Sequence, residues 1–210
     1  TVDRLGTAPM QPLLDAVESL RDVRDLAAFL GEFDQIGGSG AFGFYVDVDG
    51  KNSERCLVNL TQGGLGLPDR DYYLEPGQEM ERIRSAYRTH LTNVLMVAGM
   101  ANAAASATRI YDHERQIATA HWTRTASADV AKANNHWARA DFDKKAPGID
   151  WAELFDAAGL TSPPTFVVWQ PDAIVGIAKL VGSQPLATWR EYLALRAIER
   201  RRGVLPKAFV

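Results

Sequence analysis

Residues 62–74 read Q-G-G-L-G-L-P-D-R-D-Y-Y-L, and this stretch decides how the rest of the chain is interpreted. Three glycines within four residues are typical of two different structures, a loop that cradles phosphate groups and a tight turn. A P-loop requires a Lys followed by Ser or Thr after its last glycine, and no such pair follows here. The stretch is therefore not a P-loop.

The dinucleotide-binding fingerprint also fails at this stretch. Gly64 and Gly66 supply its G-x-G, but the third glycine position is Asp69, whose carboxylate would repel a pyrophosphate. Pro68 opposes the helix that should open at this point. We therefore interpret residues 62–71 as a turn and expect Gly66 to adopt a positive φ.

The composition indicates a globular protein with one large or two small domains. The chain has 210 residues, of which 46% are hydrophobic and 23% charged. Its net charge of −3 is too mild to argue for nucleic acid or an anionic membrane as partner, and no nucleic-acid partner is expected. Cys56 is its single cysteine, so no internal disulfide forms, and in a predicted strand we expect it to be a small buried hydrophobe. We find neither a signal peptide nor an apolar run of about 20 residues.

The hydrophobic periodicity predicts a mainly α fold, a multi-helix domain with one β-hairpin near residues 42–61. Asp22 and Asp150 are expected to cap helices, and residues 165–169 form a candidate short strand. Residues 124–150 are expected to be polar and irregular. Apolar spacing of three and four residues predicts helices over 12–20, 23–33, 80–95, 103–121, 151–158, 171–181 and 186–197.

Two stretches approach metal-binding motifs without completing them. D-V-D-G-K-N-S begins at Asp47 like a calcium loop, but the closing Glu position of an EF-hand is Val58, which favours a hairpin turn. H-E-x-x-H needs a second His four residues after His113, and that position is Ile117. No catalytic or metal-ligating residue is therefore predicted, and the chain is expected to contain no cofactor.

Glu114 and His121 are the candidate buried polar residues. Both fall on the apolar stripe of the helix predicted over 103–121, so both side chains need partners inside the protein. We expect a structural hydrogen bond between helices here, in preference to a catalytic dyad.

The order of the motifs resembles the N-terminal half of the neprilysin family of zinc metallopeptidases. The resemblance runs from about Pro12 to Val210. Its most specific element is G-L-P-x-R-D-Y-Y within residues 66–73. The stretches that carry it are D-V-D-G-K-N-S, Q-G-G-L-G-L-P-D-R-D-Y-Y-L, I-Y-D-H-E-R-Q-I-A-T-A-H-W, A-P-G-I-D-W, Q-P and P-L-A-T-W-R-E-Y-L.

The resemblance implies that the glycine stretch is scaffold and that the chemistry lies elsewhere in a longer protein. The family binds zinc through H-E-x-x-H and a downstream E-x-x-x-D, and binds the substrate backbone through N-A-[FY]; neither H-E-x-x-H nor N-A-[FY] occurs here, so no E-x-x-x-D lies downstream of a zinc helix. We expect residues 1–210 to be a fragment of the helical N-terminal domain, without the zinc-binding catalytic domain. The structural family motif comprises Gly64, Gly66, Leu67, Pro68, Arg70, Asp71, Tyr72 and Tyr73.

The resemblance also implies partners for this segment. The parent protein would be a zinc metalloendopeptidase that cleaves oligopeptides, with this lobe enclosing the substrate cavity and the catalytic half as its partner. The alternative is a free-standing helical module that binds a protein or peptide without catalysis. The single cysteine suggests a bacterial protein; a periplasmic or secreted location is favoured, and a cytoplasmic one is compatible.

The isolated fragment is expected to self-associate. Val204, Leu205, Phe209 and Val210 lie at the end of the chain, where the missing half would leave them without partners.

Overall fold

The structure, a computed structural model, describes residues 8–206 and residue 209, and this part of the chain is mainly helical. Three short 3₁₀ turns cover Ala8–Met10, Arg139–Asp141 and Arg202–Val204. The described α-helices are α1 (Gln11–Glu18), α2 (Val23–Gln35), α3 (Asp71–Leu74), α4 (Gln78–Val97), α5 (Ala103–Ala120), α6 (Arg124–Ser127), α7 (Val130–Ala133), α8 (Phe142–Lys145), α9 (Trp151–Ala157), α10 (Pro171–Ser183) and α11 (Leu186–Arg200).

A small mixed sheet accompanies the helices. Its strands are β1 (Phe42–Asp49), β2 (Asn52–Gln62), β3 (Asn135–Ala138) and β4 (Thr165–Val168), in the order β1-β2-β4-β3. The β1–β2 pair is the predicted hairpin, and β4 joins β2 in parallel while β3 pairs antiparallel with β4. The prediction of a mainly α fold with a hairpin near residues 42–61 is confirmed.

Local sequence signals set several helix ends. The carboxylate of Asp22 accepts hydrogen bonds from the backbone N–H groups of Arg24 and Asp25, and that of Asp150 accepts one from Glu153. These side chains satisfy amide groups that have no partner within the first turn of a helix. The caps therefore fix where α2 and α9 begin.

One face of the sheet is covered by α2, α8 and α9, and aromatic rings fill the space between them. Phe142 lies at the centre of this cluster, with its ring 5.0 Å from that of Phe155 and 5.4 Å from that of Phe166. On the other side of the molecule, α4, α5 and α11 pack together and bury the polar residues described below.

Three expectations need correction. Residues 124–150 are not irregular, since they contain α6, α7, β3 and α8. The strand β3 forms because it pairs with β4, which lies about 30 residues further along the chain. Cys56 is exposed, because it lies in the part of the hairpin that projects beyond the core.

The third correction concerns the end of the chain. Leu205 and Phe209 are both buried against the rest of the protein, so they have not lost their partners. The side chain of Val204, and all of Val210, lie outside the described residues.

Candidate functional site

The glycine stretch leaves β2 at residue 62 and reaches α3 at residue 71, and side chains from three helices hold it in place. Gly64 adopts a φ of +93°, a conformation that favours glycine. The hydroxyl of Tyr192 on α11 lies 2.7 Å from the carbonyl oxygen of Gly64 and 2.5 Å from that of Gly40. The Tyr192 hydroxyl therefore shares its one proton between the carbonyl oxygens of two loops that are distant in sequence.

Tyr73 and Glu114 connect the middle of the loop to the helical core. The Tyr73 hydroxyl accepts hydrogen bonds from the backbone N–H groups of Gly66 (3.1 Å) and Leu67 (2.9 Å) and donates one to Glu114 Oε2 (2.8 Å). The Tyr87 hydroxyl on α4 donates to the same carboxylate oxygen, also at 2.8 Å. Glu114, on α5, is thus an acceptor that joins α3, α4 and the loop.

Glu114 is fully buried, and its environment opposes ionisation. Burial raises the pKa of Glu114 to about 7, while Arg196 and the two tyrosine hydroxyls act against the rise. The Nη1 atom of Arg196 lies 4.0 Å from Oε1, which has no hydrogen-bond partner among the described residues. Desolvation, together with the negative charge of Glu114, also raises the pKa of Tyr73 and Tyr87, so both remain protonated donors.

His121 and Gln62 hold the beginning of the loop. The Nε2 atom of His121 donates to the carbonyl oxygen of Gly63 at 2.9 Å, because a carbonyl can only accept. Burial lowers the pKa of His121 to about 4, so the ring is neutral at pH 7. The side chain of Gln62 bonds both the N–H and the carbonyl of Trp122. Glu114 and His121 therefore have separate partners and do not hydrogen-bond to each other.

Arg70 and the remaining motif residues complete the anchor. Arg70 Nε donates to the carbonyl oxygen of Ala118 at 3.3 Å, and its Nη1 atom lies 3.9 Å from the carboxylate of Asp71. Tyr72 and Leu67 are half-buried beside the loop, and Pro68 is exposed at its surface. These contacts are with neighbouring backbone or side chains and give the motif residues structural surroundings.

The expectation of a positive φ at Gly66 is wrong, because Gly64 adopts that conformation and Gly66 does not. Gly66 is instead confined by its neighbours. A Cβ atom there would overlap the hydroxyl oxygen of Tyr87 and lie 2.8 Å from its Cζ atom and 3.0 Å from Glu114 Oε1. The constraint therefore comes from the packing of α4 and α5 against the loop.

The four histidines lie in four different environments, and zinc does not fit the described residues. His90 contacts Glu199, His121 contacts Gly63, and His136 contacts Asp49 and Asn134. His113 is buried with neither ring nitrogen hydrogen-bonded within the described part of the chain, and its ring lies 4.3 Å from that of Trp189. Among residues 8–206 and 209, no three His, Cys, Asp or Glu side chains converge as a metal site.

The stretch that approached a calcium loop forms the tip of the hairpin. Asp49 is buried and accepts hydrogen bonds from the N–H of Lys51 (2.9 Å) and from Arg55 Nε (2.7 Å). These bonds lower the pKa of Asp49, and the bond from the backbone N–H of Lys51 has the largest effect. Its Oδ1 atom also lies 3.3 Å from His136 Nε2, which links the tip to β3.

Sequence reasoning did not assign partners to Tyr87, Tyr192 or Arg196. All three fall at inward positions of predicted helices. A hydroxyl or guanidinium group that is buried there requires a hydrogen-bond partner inside the protein. The identity of that partner could not be read from the sequence, because Glu114 lies 27 residues from Tyr87 and Gly64 lies 128 residues from Tyr192.

The chain is a mainly helical region with a loop fixed by buried side chains, and comparison with known proteins identifies its class. The model of the N-terminal region of Peptidase family M13 matches residues 1–210. The chain therefore belongs to Peptidase family M13, and the resemblance to the neprilysin family is confirmed.

Solved structures support the same assignment. The zinc metalloprotease Zmp1 of Mycobacterium tuberculosis in an open state is 32% identical, with a TM-score of 0.93 over 99% of this chain and 33% of Zmp1. PepO from Lactobacillus rhamnosis, at 15% identity and a TM-score of 0.69, shows the likeness of the fold alone.

Curated relatives are similar over most of this chain. Endothelin-converting enzyme-like 1 of Mus musculus is 26% identical over 162 residues, which is 75% of this chain and 21% of the relative. Neprilysin-3 of Drosophila melanogaster is 24% identical over 181 residues, which is 80% of this chain and 23% of the relative. The chain spans about a fifth of the length of these relatives and a third of the Zmp1 chain.

Proposed function

We propose that this chain is the non-catalytic helical lobe of a zinc metalloendopeptidase that cleaves oligopeptides, and that it encloses the substrate cavity together with the catalytic half of the same protein. The observation that supports this proposal best is the match to Zmp1, whose fold the chain follows over 99% of its length at 32% identity. Zinc would be held by the catalytic half, since the described residues offer no group of ligands for it.

The anchored glycine loop suits a scaffold role. The hydroxyls of Tyr73 and Tyr192 and the Oε2 atom of Glu114 bond to one another or to the loop backbone, and Glu114 is fully buried, so these side chains suit a structural role. A lobe that forms one wall of a cavity must keep its shape when the substrate enters, and a loop fixed from three helices provides such rigidity.

The gene sequence beyond the codon for Val210 tests the proposal. An open reading frame that continues into N-A-[FY], H-E-x-x-H and E-x-x-x-D supports it, and a stop codon directly after Val210 favours the free-standing binding module.

A biochemical test uses the chain alone and the chain with its continuation. We expect the 210-residue chain to cleave no peptide and to retain no stoichiometric zinc after dialysis, and the longer protein to do both. One tightly bound zinc per 210-residue chain, by metal analysis, would contradict the proposal. Restoration of activity by supplying the catalytic half in trans would support it.

A further inference from the structure

A pocket of about 280 Å³ lies between α4, α5 and the segment that connects α3 to α4. Three arginines line it, Arg84 and Arg88 from α4 and Arg115 from α5, and Tyr111 lies among them. The pocket differs from the Glu114 cluster in its chemistry, although Tyr73 borders both, because three arginines and three acids line it. None of these arginines takes part in anchoring the glycine loop.

Arg84 is fixed in place before any ligand arrives. The residue is only 9% exposed, and its Nη1 atom donates to the carbonyl oxygens of Tyr72 (3.2 Å) and Glu75 (2.9 Å). Its Nε atom donates to Glu81 at 3.1 Å. These bonds use Nε and Nη1 and leave the N–H donors of Nη2 on this pocket-lining residue without a bond among them.

Arg88 and Arg115 complete the set of donors. Arg88 lies with its guanidinium carbon 5.1 Å from the centre of the Tyr111 ring and is bonded to Glu81 at 2.9 Å. The side chain of Arg115 makes no ion pair or hydrogen bond within residues 8–206 and 209. Burial raises the pKa of Tyr111, while the positive charges of Arg84, Arg88 and Arg115 lower it. All three arginines therefore act on the same phenol hydroxyl.

Three acidic residues also line the pocket, and their negative charges limit which anions can bind there. Glu81 is occupied by Arg84 and Arg88, one guanidinium on each carboxylate oxygen. Asp112 and Glu75 are exposed and form no ion pair within the described part of the chain. The formal charges of the three arginines and three acids cancel, so the pocket is not expected to attract anions in general, and it favours a small ligand that bonds directly to the guanidinium donors.

We propose that this pocket binds an oxyanion group, a phosphate or a carboxylate, between Arg84, Arg88 and Arg115, with the hydroxyl of Tyr111 as an additional donor. Planar guanidinium groups match the geometry of both oxyanions, and bonds between opposite charges are about twice as strong as neutral ones. Phosphate and carboxylate share this recognition chemistry, and the experiment below distinguishes them. The proposal does not depend on the peptidase role.

Isothermal titration of the 210-residue chain with inorganic phosphate and, separately, with acetate tests the pocket. Sodium chloride keeps the ionic strength constant, so that general screening does not imitate binding. We expect saturable binding of at least one of the two anions. The tighter of the two identifies the class of ligand.

Arg115→Gln is the test variant, and Arg82→Gln is its matched control. Both residues are exposed helical arginines, but Arg82 pairs with Glu79 and does not line the pocket. Loss of a charge-assisted bond should weaken binding about tenfold or more in Arg115→Gln and leave Arg82→Gln unchanged. Circular dichroism checks that both variants fold. Absence of saturable binding to the unmodified chain, or equal affinity in Arg115→Gln, would overturn the proposal.

Discussion

Glu114 illustrates at the residue scale how a buried polar side chain organises its surroundings. Its carboxylate accepts hydrogen bonds from Tyr73 and Tyr87, and Tyr73 in turn accepts the N–H groups of Gly66 and Leu67. A buried carboxylate is costly when ionised, and the raised pKa of Glu114 expresses that cost.

Replacing Glu114 with Gln should alter how stability depends on pH. The pKa of Glu114 is raised to about 7 in the folded state, so its stabilising contribution is present at acidic pH and lost as the pH rises through 7. Gln keeps an acceptor for both hydroxyls and does not titrate. The free energy of unfolding of Glu114→Gln relative to the unmodified chain should therefore rise by about 2–3 kcal/mol from pH 5 to pH 8.

Urea unfolding at pH 5 and pH 8 measures this difference. Glu79→Gln, an exposed change on α4, is the control and should show no comparable pH-dependent gain. A difference between Glu114→Gln and the unmodified chain that does not vary with pH would show that Glu114 has an ordinary pKa.

Replacing Gly66 with Ala should destabilise the protein by about 1–3 kcal/mol, because the new methyl group overlaps Tyr87. Gly203→Ala is the control, since a Cβ atom at Gly203 meets no atom within 4 Å. Thermal melts compare the two variants. In the background of Tyr87→Phe the cost of Gly66→Ala should become smaller, because the overlapping hydroxyl is gone. Equal costs in both backgrounds would contradict the steric explanation.

At the scale of the elements, the long hairpin depends on side chains for its order. The distal half of β1–β2 is exposed, and Asp49 fixes its tip through Arg55, Lys51 and His136. Because the core does not cover this half of the hairpin, these polar contacts are what hold it against β3.

Replacing Asp49 with Ala should therefore loosen the tip without unfolding the protein. We expect hydrogen exchange to become faster at the β1–β2 amides near the turn, while the amides of α5 keep their protection. Asp47→Ala is a matched control, since among the described residues the Asp47 side chain bonds the N–H of Val48 and no other group. Unchanged exchange at the turn in Asp49→Ala would show that β-pairing alone holds the tip.

At the scale of the whole molecule, the described surface shows where self-association would occur. Leu205 and Phe209 are buried, so these two described residues near the end of the chain do not contribute to an exposed apolar patch. Val46 and Val48 are 66% and 52% exposed on β1, which is an edge strand of the sheet. Edge strands with exposed apolar residues favour pairing between molecules.

We expect the isolated chain to self-associate through β1, and the double change Val46→Lys with Val48→Lys to suppress this association. Val130→Lys is the control, because Val130 is 62% exposed and lies outside the sheet. Sedimentation velocity over a concentration series measures the effect. A monomer at all concentrations would contradict the prediction, and equal suppression by Val130→Lys would place the contact elsewhere.

The sequence by itself determined the features that depend on neighbouring residues. Asp22 and Asp150 begin helices through bonds to amides two or three residues away, and the hairpin follows from alternating apolar residues on either side of a turn. The near misses to metal motifs could also be excluded locally, because those motifs require fixed spacing within a few residues.

Only the tertiary structure decided which groups meet. Glu114 finds Tyr73 and Tyr87 at separations of 41 and 27 residues, and the requirement for glycine at position 66 arises from the Tyr87 hydroxyl on another helix. The strand β3 likewise depends on β4, its partner across the sheet. Periodicity shows that a side chain faces inward, but its partner depends on how distant helices pack, and that packing is a property of the whole chain.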